Sequence, residues 1–350
     1  MRYKKLGSSG IEVSEVCLGT MTWGVQNSQK DADQQIEYAL EHGINFIDTA
    51  ELYAIPPTAE TYGKTESIIG DWLSRNPTRR KEMILATKIC GPGPSWIRDG
   101  GIVTGEAIIE SVDKSLQRLQ TDYIDLYQIH WSNRVSPHFG RHAPGVINLA
   151  DVKLEQQQEM MLDNLRGLQR SIDDGKIRFC GLSNESPWGI TEYLRLANEH
   201  SLPRMVSVQN EFNLLHAKDW PYNLEMCLMS DVAYLPWSPL AGGALTGKYL
   251  DGAMPYGSRR TMEQRLGLFR DTPVANEAIR AYKELAEQHG LTTAQLSLAW
   301  VVQTDGVTST IIGATSMEQL REDLAAFNVT FSKELKKSIQ TIWKKYPVPF

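Results

Sequence analysis

The chain has 350 residues, 41% of them hydrophobic and 22% charged, with a net charge of −6. These proportions suit a globule with a sizeable core. The acidic balance, without any long Lys/Arg run, excludes a general nucleic-acid binder. The first residues, Met1 to Gly7, lack the apolar core of a secretory signal. No apolar stretch approaches the about 18 residues of a membrane span, so a cytoplasmic protein without membrane attachment is expected. Cys17, Cys90, Cys180 and Cys227 are widely spaced and form no CxxC pair. They read as reduced core residues rather than metal ligands or a dithiol.

In chain order, short β-type runs alternate with longer helical patterns. The strand-like runs are 16–18, 45–48, 83–88, 124–130, 177–183, 206–210, 233–237 and 310–313. Helical spacing covers 32–41, 65–75, 106–119, 157–173, 187–198, an irregular stretch at 219–229, then 274–288 with 294–303, and 318–327. Strand-then-helix alternation predicts an α/β fold with a parallel sheet. Eight such units describe a closed (β/α)8 TIM barrel, which typically uses about 250 residues, so 1–350 reads as a single domain with insertions.

Gly43 and Gly290 stand where a left-handed residue closes a helix. Thr104 reads as a plain N-cap, and Ser316 with Gln319 as a capping box. Three loops exceed simple connectors, 54–63, 131–156 and 241–271, and all follow strands. A barrel would hang them over its functional face. A helical tail at 332–345 ends in Tyr346-Pro347-Val348-Pro349-Phe350, placed to fold back over the mouth.

Asp48, Lys88 and His130 each close one of the strand-like runs, and Tyr53 follows Asp48 in the next loop. A phenol titrates near 10, too high for easy proton exchange at neutral pH. A neighbouring ammonium is expected to lower that value, a carboxylate to keep the ammonium charged, and an imidazole to orient a substrate oxygen. The set suits carbonyl reduction, with Tyr53 giving the proton and hydride arriving from elsewhere.

No GxGxxG follows a strand, which argues against a Rossmann site. The segment from Gly242 to Lys248 fits GxxxxGK, but Tyr249 stands where a P-loop needs Ser or Thr. A small-residue loop with a lysine after the seventh strand still suits a pyrophosphate. The free N–H groups where Gly313-Ala314-Thr315-Ser316 enters a helix suit a second anion. His138 and His142 lie four apart, but in a Pro/Gly loop rather than a helix, so no metal site is expected.

Several segments carry a family likeness. They are Cys17-Leu18-Gly19-Thr20-Met21, Asn45 to Tyr53, Gly63-Lys64-Thr65-Glu66, Leu119 to His130, and Gly175 to Asn184. Together they resemble the aldo-keto reductase family nearly end to end. Within it the likeness is to a bacterial Tas-type branch, and through Trp237-Ser238-Pro239-Leu240-Ala241-Gly242-Gly243 to potassium-channel β-subunits.

The resemblance implies a barrel with an N-terminal hairpin and a tetrad of Asp48, Tyr53, Lys88 and His130, with Tyr53 as the acid. It implies NADP(H) as cofactor, with NAD(H) the alternative, and a small-molecule carbonyl substrate. Ser183, Asn184 and Gln209 would hold the nicotinamide carboxamide and Trp237 would stack on its ring. Gly19, Thr20, Met21 and Asp48 would also line the cofactor. Ser238, Pro239, Leu240, Ala241, Gly242, Lys248 and Arg259 would follow the pyrophosphate. Gly313, Thr315, Gln319, Glu322 and Asp323 would surround the adenosine. Trp23 and Trp131 would wall the substrate pocket. Gly313 and Gln319 stand where many members carry Lys or Arg, but channel-β-like members manage with similar residues, so NADPH stays the first expectation. Asp323 stands where Asn is common, and its charge near the adenosine would favour NADH. A nucleotide-binding regulatory subunit with vestigial catalysis is the alternative to an enzyme.

Overall fold

The computed structural model describes residues 1–134, 139–141, 145–150, 152–262 and 268–350. His138 and His142 lie outside them.

The chain opens with an antiparallel hairpin of β1 (Tyr3–Lys5) and β2 (Glu12–Ser14). The barrel then begins. Its units are β3 (Val16–Gly19), α1 (Gln29–Glu41), β4 (Phe46–Asp48), α2 (Lys64–Arg75), β5 (Ile84–Ile89) and α3 (Gly105–Leu119). They continue with β6 (Ile124–Ile129), α4 (Leu154–Asp173), β7 (Ile177–Ser183), α5 (Pro187–Glu199), β8 (Met205–Gln209) and α6 (Tyr222–Met229). The last are β9 (Ala233–Tyr234), α7 (Pro273–Gln288), α8 (Thr293–Val302), β10 (Thr310–Ile312), α9 (Met317–Ala325) and α10 (Lys333–Lys345).

The eight strands β3 to β10 form one parallel sheet in which β10 pairs with β3 and the rest follow chain order to β9. Bonds from Thr308 N to Tyr234 O (2.9 Å) and from Ile311 N to Pro236 O (2.9 Å) draw β9 and β10 together, curling the sheet into a (β/α)8 barrel. All eight predicted strands are present. The irregular stretch near 219–229 contains α6, and every predicted helix is found with its ends shifted by a few residues.

The hairpin covers the amino end of the barrel. Leu6 and Val13 pack with Cys17, Phe46, Ala86, Leu126, Val206 and Leu235 in the barrel's interior. Gly7 has φ +50, and a Cβ there would lie 2.2 Å from Val206 O, so only glycine permits this approach. A larger core lies between strands and helices. All four cysteines are free and buried, as expected.

Gly43 (φ +78) and Gly290 (φ +67) are left-handed as predicted, and Thr104 Oγ1 accepts from Ala107 N. Ser316 caps α9, but its box is not reciprocal. Gln319 Oε1 instead accepts from Thr315 N (2.9 Å) and Thr315 Oγ1 (3.0 Å), one residue earlier. Reciprocal boxes form instead at Ser28/Asp31 on α1 and Thr292/Gln295 on α8. The tail reaches the rim, where Pro349 O accepts from Thr272 Oγ1 (2.5 Å) and the Phe350 ring stacks on His216 at 5.9 Å.

Candidate active site

Each barrel strand delivers a site candidate at or just past its carboxyl end. Gly19, Asp48, Ser183 and Gln209 are the last residues of β3, β4, β7 and β8. Lys88 is next to last in β5, and His130 and Gly313 follow β6 and β10 directly. Trp237 lies three residues past β9. Ladder register sets Gly19 opposite Asp48 and Ser183 opposite Gln209.

The lysine and aspartate form a buried ion pair, Lys88 Nζ to Asp48 Oδ2 at 2.7 Å, with side chains 0% and 3% exposed. Lys88 also donates to Thr49 O at 2.7 Å. Its ammonium lies 5.0 Å from the centre of the Tyr53 ring. Asp48 Oδ1 accepts from Gln209 Nε2 at 2.8 Å and, at 3.4 Å, from Gln128 Nε2. The carboxylate therefore has a donor on each oxygen, which a buried charge requires. Burial pulls the Lys88 value down, but Asp48 and then Tyr53 outweigh it, and the ammonium is held above its ordinary range.

Tyr53 meets the His130 ring edge-on, with centroids 5.7 Å apart and planes at 79°. The expected lowering of its phenol does not hold: burial raises it by more than Lys88 lowers it. Tyr53 is therefore a phenol, not a phenolate, at neutral pH. His130 is pushed well below its ordinary value, by burial first and Lys88 second, so its imidazole is neutral. Its Nδ1 is buried without a hydrogen-bond partner among the described residues.

A hydrogen-bonded run joins this group to the later strands. Asn184 Nδ2 donates to His130 O (2.9 Å) and to Ser183 Oγ (3.2 Å), and Trp237 Nε1 donates to Asn184 Oδ1 (3.2 Å). Ser183 Oγ donates to Gln209 O at 2.8 Å. Because the Gln209 side chain gives its N–H to Asp48, its side-chain oxygen Oε1 remains to accept from a ligand amide. Thr20 Oγ1 donates to Asp48 O (2.9 Å), and Met21 O accepts from Ile55 N.

Beyond Trp237 the loop turns through left-handed Ser238, Ala241, Gly242, Gly243 and Gly247. A Cβ on Gly242 would lie 3.3 Å from an Arg259 terminal nitrogen, and one on Gly243 3.2 Å from Lys248 Cε. A cavity of about 10 Å³ here is lined by Gly242, Tyr249, Arg259, Arg260 and Arg270, among others. Arg270 pairs with buried Glu211 (Nε to Oε1 2.9 Å), and Arg260 pairs with Asp271 at 3.0 Å. Half-buried Arg259 meets Met21 Sδ at 3.9 Å and pairs with no acid among the described residues. Burial, then Arg270, lower its value. A guanidinium so placed, beside a glycine turn and Lys248, fits a pyrophosphate.

Farther on, Asp323 is buried, and Glu322 lies next to it in α9. Burial, then Glu322, raise the Asp323 carboxyl to about 7 against the pull of Lys248.

The two tryptophans part company. Trp131 is half-buried at the mouth, 5.0 Å from the His130 ring. Trp23 is no pocket wall: it is 0% exposed and packs in the core, with Nε1 donating to Gln35 Oε1 at 3.1 Å. The sequence reading missed Thr49, Gln128, Glu51, Arg98 and the Arg270–Glu211 pair. Gln128 had a signal, since a glutamine two residues before His130 in a strand shares its face.

The sequence profile of the "Aldo/keto reductase family" matches residues 15–344. The chain is 39% identical to "Protein tas" of Escherichia coli (strain K12), across 100% of this chain and 99% of that protein. It is 31% identical to the "Uncharacterized oxidoreductase YrpG" of Bacillus subtilis (strain 168), covering 98% and 96%. It is also 31% identical to a "Probable voltage-gated potassium channel subunit beta" of Arabidopsis thaliana, covering 94% and 92%. With a barrel whose strand ends converge on one polar centre, likeness along the whole chain makes this protein an oxidoreductase of the aldo/keto reductase family, whose members generally bind NAD(P)(H).

Proposed function

We propose that the chain reduces aldehyde and ketone carbonyls to alcohols with NADPH, Tyr53 giving the proton. The observation that carries this reading is the buried Lys88–Asp48 pair beside the Tyr53 ring, with neutral His130 at its edge. Bound nicotinamide would supply the hydride for the carbonyl carbon. Neutral His130 has a ring N–H to donate to the carbonyl oxygen and orient it. Tyr53, protonated at neutral pH, gives its proton to that oxygen as negative charge develops. Lys88 then stabilises the phenolate, and Asp48 keeps Lys88 charged.

The cofactor's phosphates would be held by Arg259, Lys248 and the Gly242-Gly243 turn. The oxygen of Gln209, together with Ser183 and Asn184, would take the carboxamide, and Trp237 the ring. Trp131 would wall the substrate side, since aromatic faces suit apolar carbonyl compounds.

Turnover of benzaldehyde-type substrates by Tyr53→Phe tests the mechanism. A loss of at least about a hundredfold in kcat is expected, and a variant working at the wild-type rate refutes it. The potassium-channel β-subunit relative favours a second reading, a nucleotide-binding regulatory subunit. Steady carbonyl turnover well above that of Lys88→Met counts against that reading. A nucleotide retained through gel filtration and turned over slowly favours it.

A further inference from the structure

The loop after β5, residues 90–101, packs against Trp131. The backbone at Gly91 lies outside the left-handed region, so conformation does not demand glycine there. Space does: a Cβ on Gly91 would sit 2.2 Å from Trp131 Nε1 and 2.3 Å from its Cδ1. The indole therefore lies directly against the Gly91 backbone, and its Nε1 donates to Pro92 O at 3.1 Å.

This loop is itself clamped to the segment that carries Tyr53. Glu51, two residues before Tyr53, is 2% exposed in its side chain and accepts from Arg98 Nη1 at 2.6 Å. The other Glu51 carboxylate oxygen accepts from Cys90 N at 2.8 Å, and Arg98 Nη2 donates to Cys90 O at 2.8 Å. Glu51 and Arg98 thus close a ring of hydrogen bonds around Cys90. Above it, Ile97 packs with Leu52 and Cys90, and Tyr53, Ile55 and Trp131 pack against that cluster. Trp131 is held against this loop, beside His130.

We propose that Gly91 and the Glu51–Arg98 pair are positioning residues that hold the Trp131 indole as a fixed wall, selecting flat aromatic carbonyls over short aliphatic ones. A wall ordered in advance loses no side-chain freedom when an aromatic ring packs on it, whereas a short aliphatic substrate gains little from it. The inference rests on the carbonyl-reductase reading above.

The test is the ratio of kcat/KM for benzaldehyde to that for propanal, with NADPH saturating. Gly91→Ala displaces the indole, and the ratio is expected to fall about three- to tenfold. The fall should appear as a higher KM for benzaldehyde at little-changed kcat. A merely structural defect lowers both substrates together and leaves the ratio where it was. An unchanged ratio, or an equal loss for both substrates, overturns the positioning role and leaves the reductase reading intact. A wild-type protein that binds NADPH but reduces neither substrate overturns the reductase reading and this inference with it. Should Gly91→Ala not fold, Arg98→Met carries the same comparison. Arg98→Lys, which keeps a cation facing Glu51, should retain most of the ratio; equal ratios in the two Arg98 variants and wild type overturn the proposal.

Discussion

Replacing Asp323 by Asn should make the ligand-free protein more stable at pH 8 and change it little at pH 4. The Asp323 side chain is buried on α9 and its carboxyl is raised to about 7. In the unfolded chain the same group titrates near 3.9. The folded state therefore binds this proton more tightly, and stability drains away as pH climbs from about 4 through 7. Each pH unit of difference corresponds to about 1.4 kcal/mol, so the ionised carboxylate costs on the order of 4 kcal/mol at pH 8. The amide cannot ionise and escapes that cost. Glu322, which adds to the cost, and Lys248, which offsets part of it, are present in both proteins. Urea unfolding at pH 4 and pH 8 measures the difference. A gap of that size moves the midpoint by about 1 M at the slopes expected for a chain this large. A wild type and variant separated by the same amount at both pH values would refute the burial argument.

Two further outcomes follow from the site. Lys88→Met leaves Asp48 as a buried carboxylate without its counter-ion and should cost about 3–5 kcal/mol in urea unfolding. Adding Asp48→Asn should restore most of that stability while carbonyl reduction stays at least about a hundredfold down; recovered activity would remove the pair from the proton chemistry. Arg259→Ala should weaken NADPH binding about 10- to 100-fold, the worth of one charge-assisted contact, read by quenching of tryptophan fluorescence. An unchanged Kd takes Arg259 out of the cofactor groove.

The barrel was legible because each strand is a short apolar run bounded by polar or glycine residues, and ladder pairing needs little else to be recognised. The strand-end residues were legible for the same reason: a charged residue closing an apolar run marks where a barrel strand meets its loop. What escaped depends on the third dimension. Trp23 lies shortly after β3, as a pocket residue should, yet the chain turns it inward onto Gln35. The direction of the Tyr53 shift turns on two opposing effects of burial and Lys88, whose balance no spacing reveals. Glu51 and Arg98 are 47 residues apart and meet only because neighbouring strands bring their loops together. Ser316 was a sound N-cap, but whether Gln319 reached Ser316 or Thr315 depended on local backbone geometry.

The order of strands around the ring divides the mouth into two arcs of chain. β4, β5 and β6 present Asp48, Lys88 and His130, while β7 and β8 end in Ser183 and Gln209, with Trp237 beyond β9. At the site the arcs meet through hydrogen bonds from Gln209 to Asp48 and from Asn184 to the His130 carbonyl, and along their shared edge through the β6–β7 ladder and the Arg134–Glu185 ion pair. Changes in the later arc that leave Gln209 and Asn184 in place can therefore remodel what the mouth holds without disturbing the buried ammonium–carboxylate pair of the earlier one. Within the polar centre, those two bonds are where either half would register a change in the other.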